Sequence, residues 1–437
     1  MDRSESNRNA LRFCIVSTFY PPHNFGGDGI YSHRLANGLA RRGHKVTVIR
    51  SSSAYELLAN GQPTAASADH PNVTVYGLRT PLGKLGLLAV QQTGRPMLQS
   101  PALRRALGAG DFDVIHYNNV SLLGGAAAFR YGRGLKLYTM SDHWLVCPMH
   151  VLWKFNRAIC VRPTCYRCRL VGGRPPEFWR SGGLMAEATR SIDAFLGPSL
   201  FTIRMHLERG IHGAMIQLPL FCGEPEPAAR NATINGGRPY FLYSGRLEKS
   251  KGLQDVIPVM KARPAIDLLI AGAGRFEQEL FALAGGASNI KFLGRLDQAE
   301  LQSLYRNSMA TIVPSLGYET FGLVVVESFS TSTPVIVNAG SALAEIVSTY
   351  GGGLMYLNRQ QLGDAIDRMR GDGTLRERLG VEGRRAYEAE FSEDAHLNKY
   401  LGMVDELLAR KRSGESLKAL TDTDGQTRLA GLPIFFG

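Results

Sequence analysis

The sequence predicts an α/β protein made of two doubly wound, Rossmann-like domains that face each other across a cleft. The length of 437 residues suggests two or three domains, at roughly 100–200 residues per domain. Apolar strand-like runs alternate with helical patterns in both halves, which is typical of parallel sheets covered by helices. Residues 222–239 are rich in Pro, Gly and Asn and separate the two series, so we interpret them as a linker.

The first half, residues 1–221, opens with a strand, a glycine-rich loop and a helix. The apolar run Leu11–Thr18 predicts the strand, and the loop that follows contains Gly26 and Gly27. Helical spacing extends from Ile30 to about Arg42, and this unit implies a right-handed crossover between parallel strands. Further strands of this half are predicted at 46–49, 73–76, 114–116 and 135–139.

The second half, residues 240–390, repeats the alternation. Its predicted strands are 240–244, 266–271, 290–293, 310–313 and 335–337. Residues 391–412 have helical spacing and are expected to form a closing helix that packs back on the first domain. Residues 413–437 are polar before a short apolar end, and we expect a poorly ordered tail.

The formal charge of +12 is concentrated in the first half. Residues 1–110 contain 13 Lys and Arg against 5 Asp and Glu, and residues 151–180 contain 7 against 1. This excess of basic residues suits binding of a phosphorylated ligand, an anionic lipid surface or nucleic acid. The alternative is that these residues only form a solvated surface. No recognisable nucleic-acid module supports the third partner. No apolar run has the ~18 residues of a membrane span, and the N-terminus is polar, so we expect a cytoplasmic protein.

The strongest chemical signal is a pair of acids, Glu319 and Glu327, around a Phe-Gly turn and an apolar run. A helix that begins at this turn would present free N–H groups and a positive dipole end, which suit a diphosphate. Upstream, Arg246 and Lys251 follow a predicted strand and a glycine, and a guanidinium with an ammonium could hold two phosphates. Each feature alone could be a solvated surface.

The order of these motifs resembles glycosyltransferase family 4, the retaining enzymes of the GT-B fold that use nucleotide-sugar donors. Gly-Arg…Lys-Gly at 245–252, Ala-Gly-Ala-Gly at 271–274 and Pro-Ser…Glu-Thr-Phe-Gly…Glu at 314–327 follow each other as in that family. The resemblance covers roughly residues 10–410. It implies a donor nucleotide sugar as cosubstrate and a saccharide or lipid-linked acceptor.

The resemblance also implies residue roles on the donor side. Arg246 and Lys251 would clamp the diphosphate, Glu327 would accept the ribose hydroxyls, and Glu319 would lie near the transferred sugar. The backbone of Phe321, Gly322 and Leu323 would face sugar and phosphate. Gly26 and Gly27 would let the first loop approach the donor. No Asp-x-Asp pair is present for a catalytic metal, and no cofactor is expected for catalysis.

The acceptor side departs from the family pattern. Relatives often carry Thr-x-His-Asp-x-Trp, whereas this chain has Ser141 at the histidine position, followed by Asp142 and His143. We take Asp142, His143 and also His116 as candidate acceptor-side residues, with a structural histidine as the alternative in each case.

Four cysteines lie in an insertion at residues 144–170. Cys147, Cys160, Cys165 and Cys168 have metal-like spacing, and disulfides are disfavoured in a cytoplasmic protein. A structural zinc bound by these four thiolates is therefore a hypothesis, with reduced free thiols as the alternative.

The sequence thus predicts a sugar transferase acting in cell-surface polysaccharide or glycolipid synthesis. A nucleotide-sugar epimerase of the same fold and a non-catalytic scaffold are the alternatives. Residues 78–107 contain five basic residues and no acid among many apolar ones, which fits peripheral contact with the inner face of a membrane. A helix packed on the sheet is the other interpretation of that segment.

Overall fold

The computed structural model describes residues 10–58, 68–227, 234–415, 428–429 and 432–436. The strands of the first domain are β1 (Arg12–Val16), β2 (Lys45–Ser51), β3 (Val73–Leu78), β4 (Val114–Tyr117), β5 (Leu135–Thr139), β6 (Trp153–Lys154), β7 (Ala158–Ile159), β8 (Ala194–Gly197) and β9 (Ala214–Gln217). Its helices are α1 (Gly27–Arg41), α2 (Ser52–Leu58), α3 (Lys84–Thr93), α4 (Ser100–Ala109), α5 (Cys165–Val171), α6 (Leu184–Thr189) and α7 (Leu200–Leu207).

The second domain repeats the plan. Its strands are β10 (Tyr240–Ser244), β11 (Asp267–Ala271), β12 (Ile290–Gly294), β13 (Thr311–Val313), β14 (Val335–Asn338) and β15 (Gly353–Tyr356). Its helices are α8 (Leu253–Lys261), α9 (Glu277–Ala284), α10 (Gln298–Asn307), α11 (Leu323–Ser330), α12 (Ala342–Tyr350), α13 (Arg359–Gly371) and α14 (Gly373–Ala386). The chain continues with α15 (Glu393–Ser413), β16 (Arg428–Leu429) and β17 (Leu432–Phe436).

Both sheets have the doubly wound order that the sequence predicts. Seven strands of the first sheet run β3-β2-β1-β4-β5-β8-β9 and are parallel to their neighbours in this series. The second sheet runs β12-β11-β10-β13-β14-β15 and is also parallel. The central strands β4, β5 and β11 are buried along their whole length because helices cover both faces of a parallel sheet. In each sheet the strand order reverses beside the first strand, which opens a crevice at the carboxyl ends.

The two domains share one apolar core. Leu35 of α1, Val325 of α11 and Tyr400 of α15 belong to the same buried cluster. Helix α15 returns to the first domain, where Lys411 pairs with Asp193 at 2.6 Å. This cluster joins the two domains through apolar packing.

The expectation of a poorly ordered tail does not hold for residues 432–436. Strand β17 pairs antiparallel with β9, with Phe435 opposite Met215. Leu432 is buried, and Phe435 packs on the apolar side of the first sheet. The apolar end of the chain thus covers an otherwise open sheet edge. The rest of the predicted tail beyond residue 415, residues 228–233 of the predicted linker and residues 1–9 of the N-terminus lie largely outside the described residues.

Helices of the described ranges are all too short or too polar to cross a membrane.

Candidate active site

A cavity of about 780 Å³ lies between the carboxyl ends of the two sheets and is lined by both domains. Every donor-side residue that the sequence singles out lines it: Gly26, Gly27, Arg246, Lys251, Glu319, Phe321, Gly322, Leu323 and Glu327. Ser141 and Asp142 line it from the first domain. The fold therefore brings together residues that are up to 300 positions apart in the chain.

Two helices begin at the cavity wall, one from each domain. A Cβ added to Gly27 of α1 would lie 3.0 Å from the Leu323 side chain at the start of α11, so the two helix starts nearly touch. Gly322 precedes α11 with φ 109°, a conformation that side chains rarely adopt, and a Cβ there would lie 2.4 Å from Leu343. Free N–H groups at these helix starts favour a negatively charged ligand.

A cationic loop from the second domain faces the start of α11. Arg246 follows β10 in the wall of the cavity, and Lys251 forms an ion pair with Glu319. Ser315 donates a hydrogen bond to the same carboxylate at 2.6 Å. Burial acts to raise the pKa of Glu319, but Lys251, Ser315 and Arg246 outweigh it and hold that pKa below its usual value. Glu319 is therefore a carboxylate at neutral pH.

Glu327 lies within α11, in an environment that differs from that of Glu319. Tyr305 donates a hydrogen bond to it at 3.3 Å, and the Arg34 guanidinium of α1 is 3.7 Å away. Burial raises the pKa of Glu327, and Arg34 and Tyr305 offset only part of that effect. One terminal nitrogen of Arg34 is buried and has no hydrogen-bond partner within the described ranges. Arg34 lines the cavity, and sequence reasoning missed it.

The first domain contributes a cluster of polar groups opposite the cationic loop. Asp142 accepts hydrogen bonds from His150 at 2.8 Å and from Asn119 at 3.1 Å. The nearby Asp28, at the start of α1, also faces the cavity. Burial acts to raise the pKa of Asp142, yet His150 outweighs it and that pKa is lowered. By contrast, burial and then the Asp142 charge raise the pKa of Asp28.

The two candidate histidines do not line the cavity. His143 is buried, stacks on His206 and donates from Nε2 to the Tyr318 carbonyl at 3.3 Å, so it lies at the domain boundary. His116 is buried, with its ring nitrogens bonded to Tyr400 and Thr139 at 2.9 and 2.7 Å. Burial lowers the pKa of His143 to about 4 and that of His116 to about 3, so both are neutral. His143 is therefore corrected from a cavity residue to a buried contact between the domains.

His150 takes the place in the cavity that the sequence assigned to His143. It lies in a loop where His150 itself and Leu152 have positive φ values of 68° and 48°. That backbone turns the imidazole back toward Asp142, eight residues earlier in the chain. The sequence did not indicate His150 as a cavity residue, because nothing in the residue pattern indicates the turn that brings it to Asp142.

The four cysteines do not form the metal centre that their spacing indicates. Cys147 is buried, whereas Cys160, Cys165 and Cys168 are partly exposed after the β6–β7 hairpin and on α5. No three His, Cys, Asp or Glu residues of the described chain are arranged as metal ligands. The residues as placed therefore do not fit a zinc ion.

Comparison with known families gives matches in both domains. The family model described as "Glycosyl transferase 4-like domain" matches residues 26–200, and "Glycosyl transferases group 1" matches residues 226–386.

Three curated relatives match to different extents. An uncharacterised glycosyltransferase of Methanocaldococcus jannaschii is 24% identical over 419 residues, which is 88% of this chain and 95% of the relative. A glycogen synthase of Mycobacterium tuberculosis is 26% identical over 77% of this chain and 80% of its own length. A phosphatidyl-myo-inositol mannosyltransferase of Mycobacterium leprae is 32% identical over 34% of this chain and 42% of its own.

Solved structures share the two-domain architecture. Sucrose-phosphate synthase from Thermosynechococcus elongatus has a TM-score of 0.70 at 20% identity, covering 91% of this chain and 99% of that one. HepE from Anabaena, solved with UDP and glucose, has a TM-score of 0.63 at 15% identity, covering 90% and 99%. At these identities the likeness establishes the fold, which is GT-B.

Proposed function

Because this chain belongs to the family 4-type glycosyltransferases with the GT-B fold, we propose that it transfers a sugar from a nucleotide-diphosphate donor to an acceptor hydroxyl with retention. The observation that supports the nucleotide-sugar donor is the meeting of Arg246, Lys251, Glu319 and the start of α11 in one cavity wall. Retention follows the family resemblance.

The donor diphosphate would lie between the cationic loop and the start of α11. As the bond to the sugar breaks, negative charge develops on the departing nucleoside diphosphate. Arg246, Lys251 and the α11 N–H groups stabilise that charge where it forms, and they are fixed before the reaction begins. Lys251 also keeps Glu319 ionised, so Glu319 can accept hydrogen bonds from hydroxyls of the transferred sugar.

The nucleoside would extend toward Glu327. A carboxylate accepts hydrogen bonds from two neighbouring hydroxyls, which is the pattern a ribose offers. Arg34, with its unpartnered nitrogen, lies beside it and reaches the donor from the opposite domain. A donor that binds both Glu327 and Arg34 would therefore bridge the domains.

The acceptor would bind against Asp142, His150 and Asp28. Both carboxylates can accept hydrogen bonds from sugar hydroxyls, and His150 is within reach to share a proton with Asp142. A saccharide or lipid-linked acceptor fits this polar wall. We propose a role in cell-surface polysaccharide or glycolipid synthesis, consistent with the lipid-directed name of the Mycobacterium leprae relative.

A thermal-shift screen against nucleoside diphosphates and their sugars tests the donor assignment. We expect one nucleoside diphosphate to raise the melting temperature of the wild-type protein, because a ligand that binds only the folded state stabilises it. The same ligand should have a much smaller effect on Lys251→Ala. If no nucleoside diphosphate or nucleotide sugar stabilises the folded protein, the chain is a scaffold and the proposal is wrong.

A further inference from the structure

A surface of the first domain beside the cavity combines exposed apolar side chains with basic ones. Of the nineteen large apolar side chains that are exposed in the described ranges, ten fall within residues 82–98 and 161–178. On and before α3, Leu82, Leu85 and Leu88 are 71%, 67% and 41% exposed. We call the exposed residues of these two segments the α3 surface.

The α3 surface is positively charged. Residues 82–98 contain Lys84 and Arg95 and no acid, and residues 161–176 contain four Arg and no acid, of which only Arg169 is buried. The next acid, Glu177, is buried and paired with Arg169 at 3.0 Å and Arg180 at 2.5 Å, so it does not offset the exposed charges. Lys84 is exposed beside the leucines, and Arg167 is exposed within the second segment.

Direct contacts join the two segments. The Trp179 indole donates a hydrogen bond to the Gln91 carbonyl of α3 at 2.9 Å. The same ring packs over Gly94, where a Cβ would lie 2.6 Å from it. Leu170, Val171 and Phe178, which are 62–66% exposed, flank this junction in the chain.

The α3 surface also borders the cavity. Gln91 of α3 and Arg174 of the second segment both line it, as does the half-exposed Leu58 at the end of α2. A planar partner on this surface would therefore lie at the cavity mouth, next to the acceptor wall.

We propose that the α3 surface docks on an anionic phospholipid bilayer. The exposed leucines would enter the boundary between headgroups and acyl chains, and the exposed Lys and Arg of the two segments would contact anionic headgroups. A bilayer matches this surface because it is both negatively charged and apolar just beneath. Docking on a bilayer does not depend on the donor chemistry. It rests on the proposed function in one respect, which is that a membrane-embedded acceptor would reach the cavity from this surface.

Vesicle co-sedimentation tests the proposal. The purified full-length protein is mixed with vesicles of phosphatidylcholine, with or without phosphatidylglycerol. We expect binding to the anionic vesicles only, and weakening by added salt. The variant Leu85→Glu/Leu88→Glu should bind at least about tenfold more weakly. The matched control is Leu357→Glu/Val381→Glu in the second domain, where the exposures of 71% and 45% are similar, and it should bind like wild type.

Three results would overturn the proposal. The first is no binding of wild type to anionic vesicles, and the second is equal binding of the leucine variant and wild type. The third is a wild-type dimer that the leucine variant no longer forms, with vesicle binding unchanged. The third would assign the surface to a second copy of the chain. Binding of nucleoside diphosphate is measured on the same protein preparations in the absence of vesicles. A protein that binds nucleotide but not vesicles contradicts the membrane surface alone, and the proposed function stands.

Discussion

The two acids that define the donor side differ in their electrostatic surroundings. Glu319 is paired with Lys251 and has a lowered pKa, whereas Glu327 has a raised pKa because Arg34 and a tyrosine hydroxyl offset only part of the effect of its burial. Sequence spacing indicated both acids but not this difference, because the partners come from other loops and from the other domain. The difference agrees with separate tasks at the sugar and the ribose.

Replacing Lys251 should remove most of the transferase rate. In Lys251→Ala the leaving diphosphate loses a fixed cation, and the loss of one such group costs roughly 100- to 1000-fold in rate. The measurement is steady-state release of nucleoside diphosphate. Lys249→Ala, in the same loop but outside the cavity wall, serves as control and should stay within about twofold. Equal rates for both variants would contradict the clamp.

The raised pKa of Glu327 should make the protein's stability depend on pH. A group whose folded pKa is raised stabilises the fold below its unfolded value, about 4.3 for Glu, and that contribution is lost as pH rises through the folded pKa. The free energy of unfolding of wild type should therefore fall relative to Glu327→Gln as pH rises above about 4. Denaturant unfolding of both proteins at several pH values measures this difference. A constant difference, or a slope of opposite sign, would show that Glu327 is not held in this way.

Asp142 should matter for the acceptor and not for the donor. In Asp142→Asn the carboxylate that pairs with His150 is lost, and we expect transfer to fall about 100-fold, the lower end of the range of general acid–base contributions. Nucleoside diphosphate affinity should stay within about twofold. Transfer of labelled sugar to a lipid and saccharide acceptor panel, beside a binding titration, separates the two effects. Loss of nucleotide affinity would place Asp142 on the donor side instead.

Length alone does not separate the strands that the sequence predicted from those it missed, because the short strands β4, β13 and β14 were predicted. Strands β5 and β10 have the predicted bounds, and α15 begins two residues later and ends one residue later than predicted. Strands β8, β9 and β15 were missed because their four-residue runs contain only one β-branched residue between them, and Ala, Leu, Met and Gly do not indicate a strand. The loop that turns His150 into the cavity was missed for a related reason, since left-handed backbone at non-glycine residues leaves no signature in the sequence.

The start of α11 depends on Gly322. In Gly322→Ala a side chain would be strained at φ 109° and would meet Leu343 at 2.4 Å. We expect a loss of about 1–3 kcal/mol in the free energy of unfolding, with weaker nucleotide binding. Gly108→Ala in α4, where a Cβ meets nothing within 4 Å, is the control and should be neutral or slightly stabilising. Thermal and denaturant unfolding compare the two, and equal stabilities would contradict the strained helix start.

At the scale of the whole molecule, the cavity exists only while the domains are joined. The Glu345 carboxylate of α12 accepts hydrogen bonds from the N–H groups of Leu200 and Phe201 at 2.8 Å each, so the second domain caps α7 of the first. The Thr320 carbonyl accepts from Ser199 at 2.7 Å beside it. The sequence predicted two facing domains but not these contacts, because each pairs residues about 120–145 positions apart.

Glu345→Ala should loosen the domain pairing. Loss of a helix-capping carboxylate lowers the free energy of unfolding by about 0.5–2 kcal/mol. Here the cap joins the two domains, so its loss should weaken the interface between them. We expect lower stability and a larger radius of gyration by small-angle X-ray scattering. Glu377→Ala, an exposed acid of α14, is the control and should change neither. An unchanged radius and stability in Glu345→Ala would mean that the cap does not hold the domains together.

The most direct test of the donor assignment is release of nucleoside diphosphate from a panel of UDP-, GDP- and ADP-sugars, with wild type, Glu319→Ala and Glu377→Ala in parallel. One donor should be turned over by wild type and by Glu377→Ala. Glu319→Ala should fall at least about 100-fold, because it loses the acid at the sugar. Folded wild-type protein that releases no nucleoside diphosphate from any donor, or Glu319→Ala that works like wild type, would contradict the assignment.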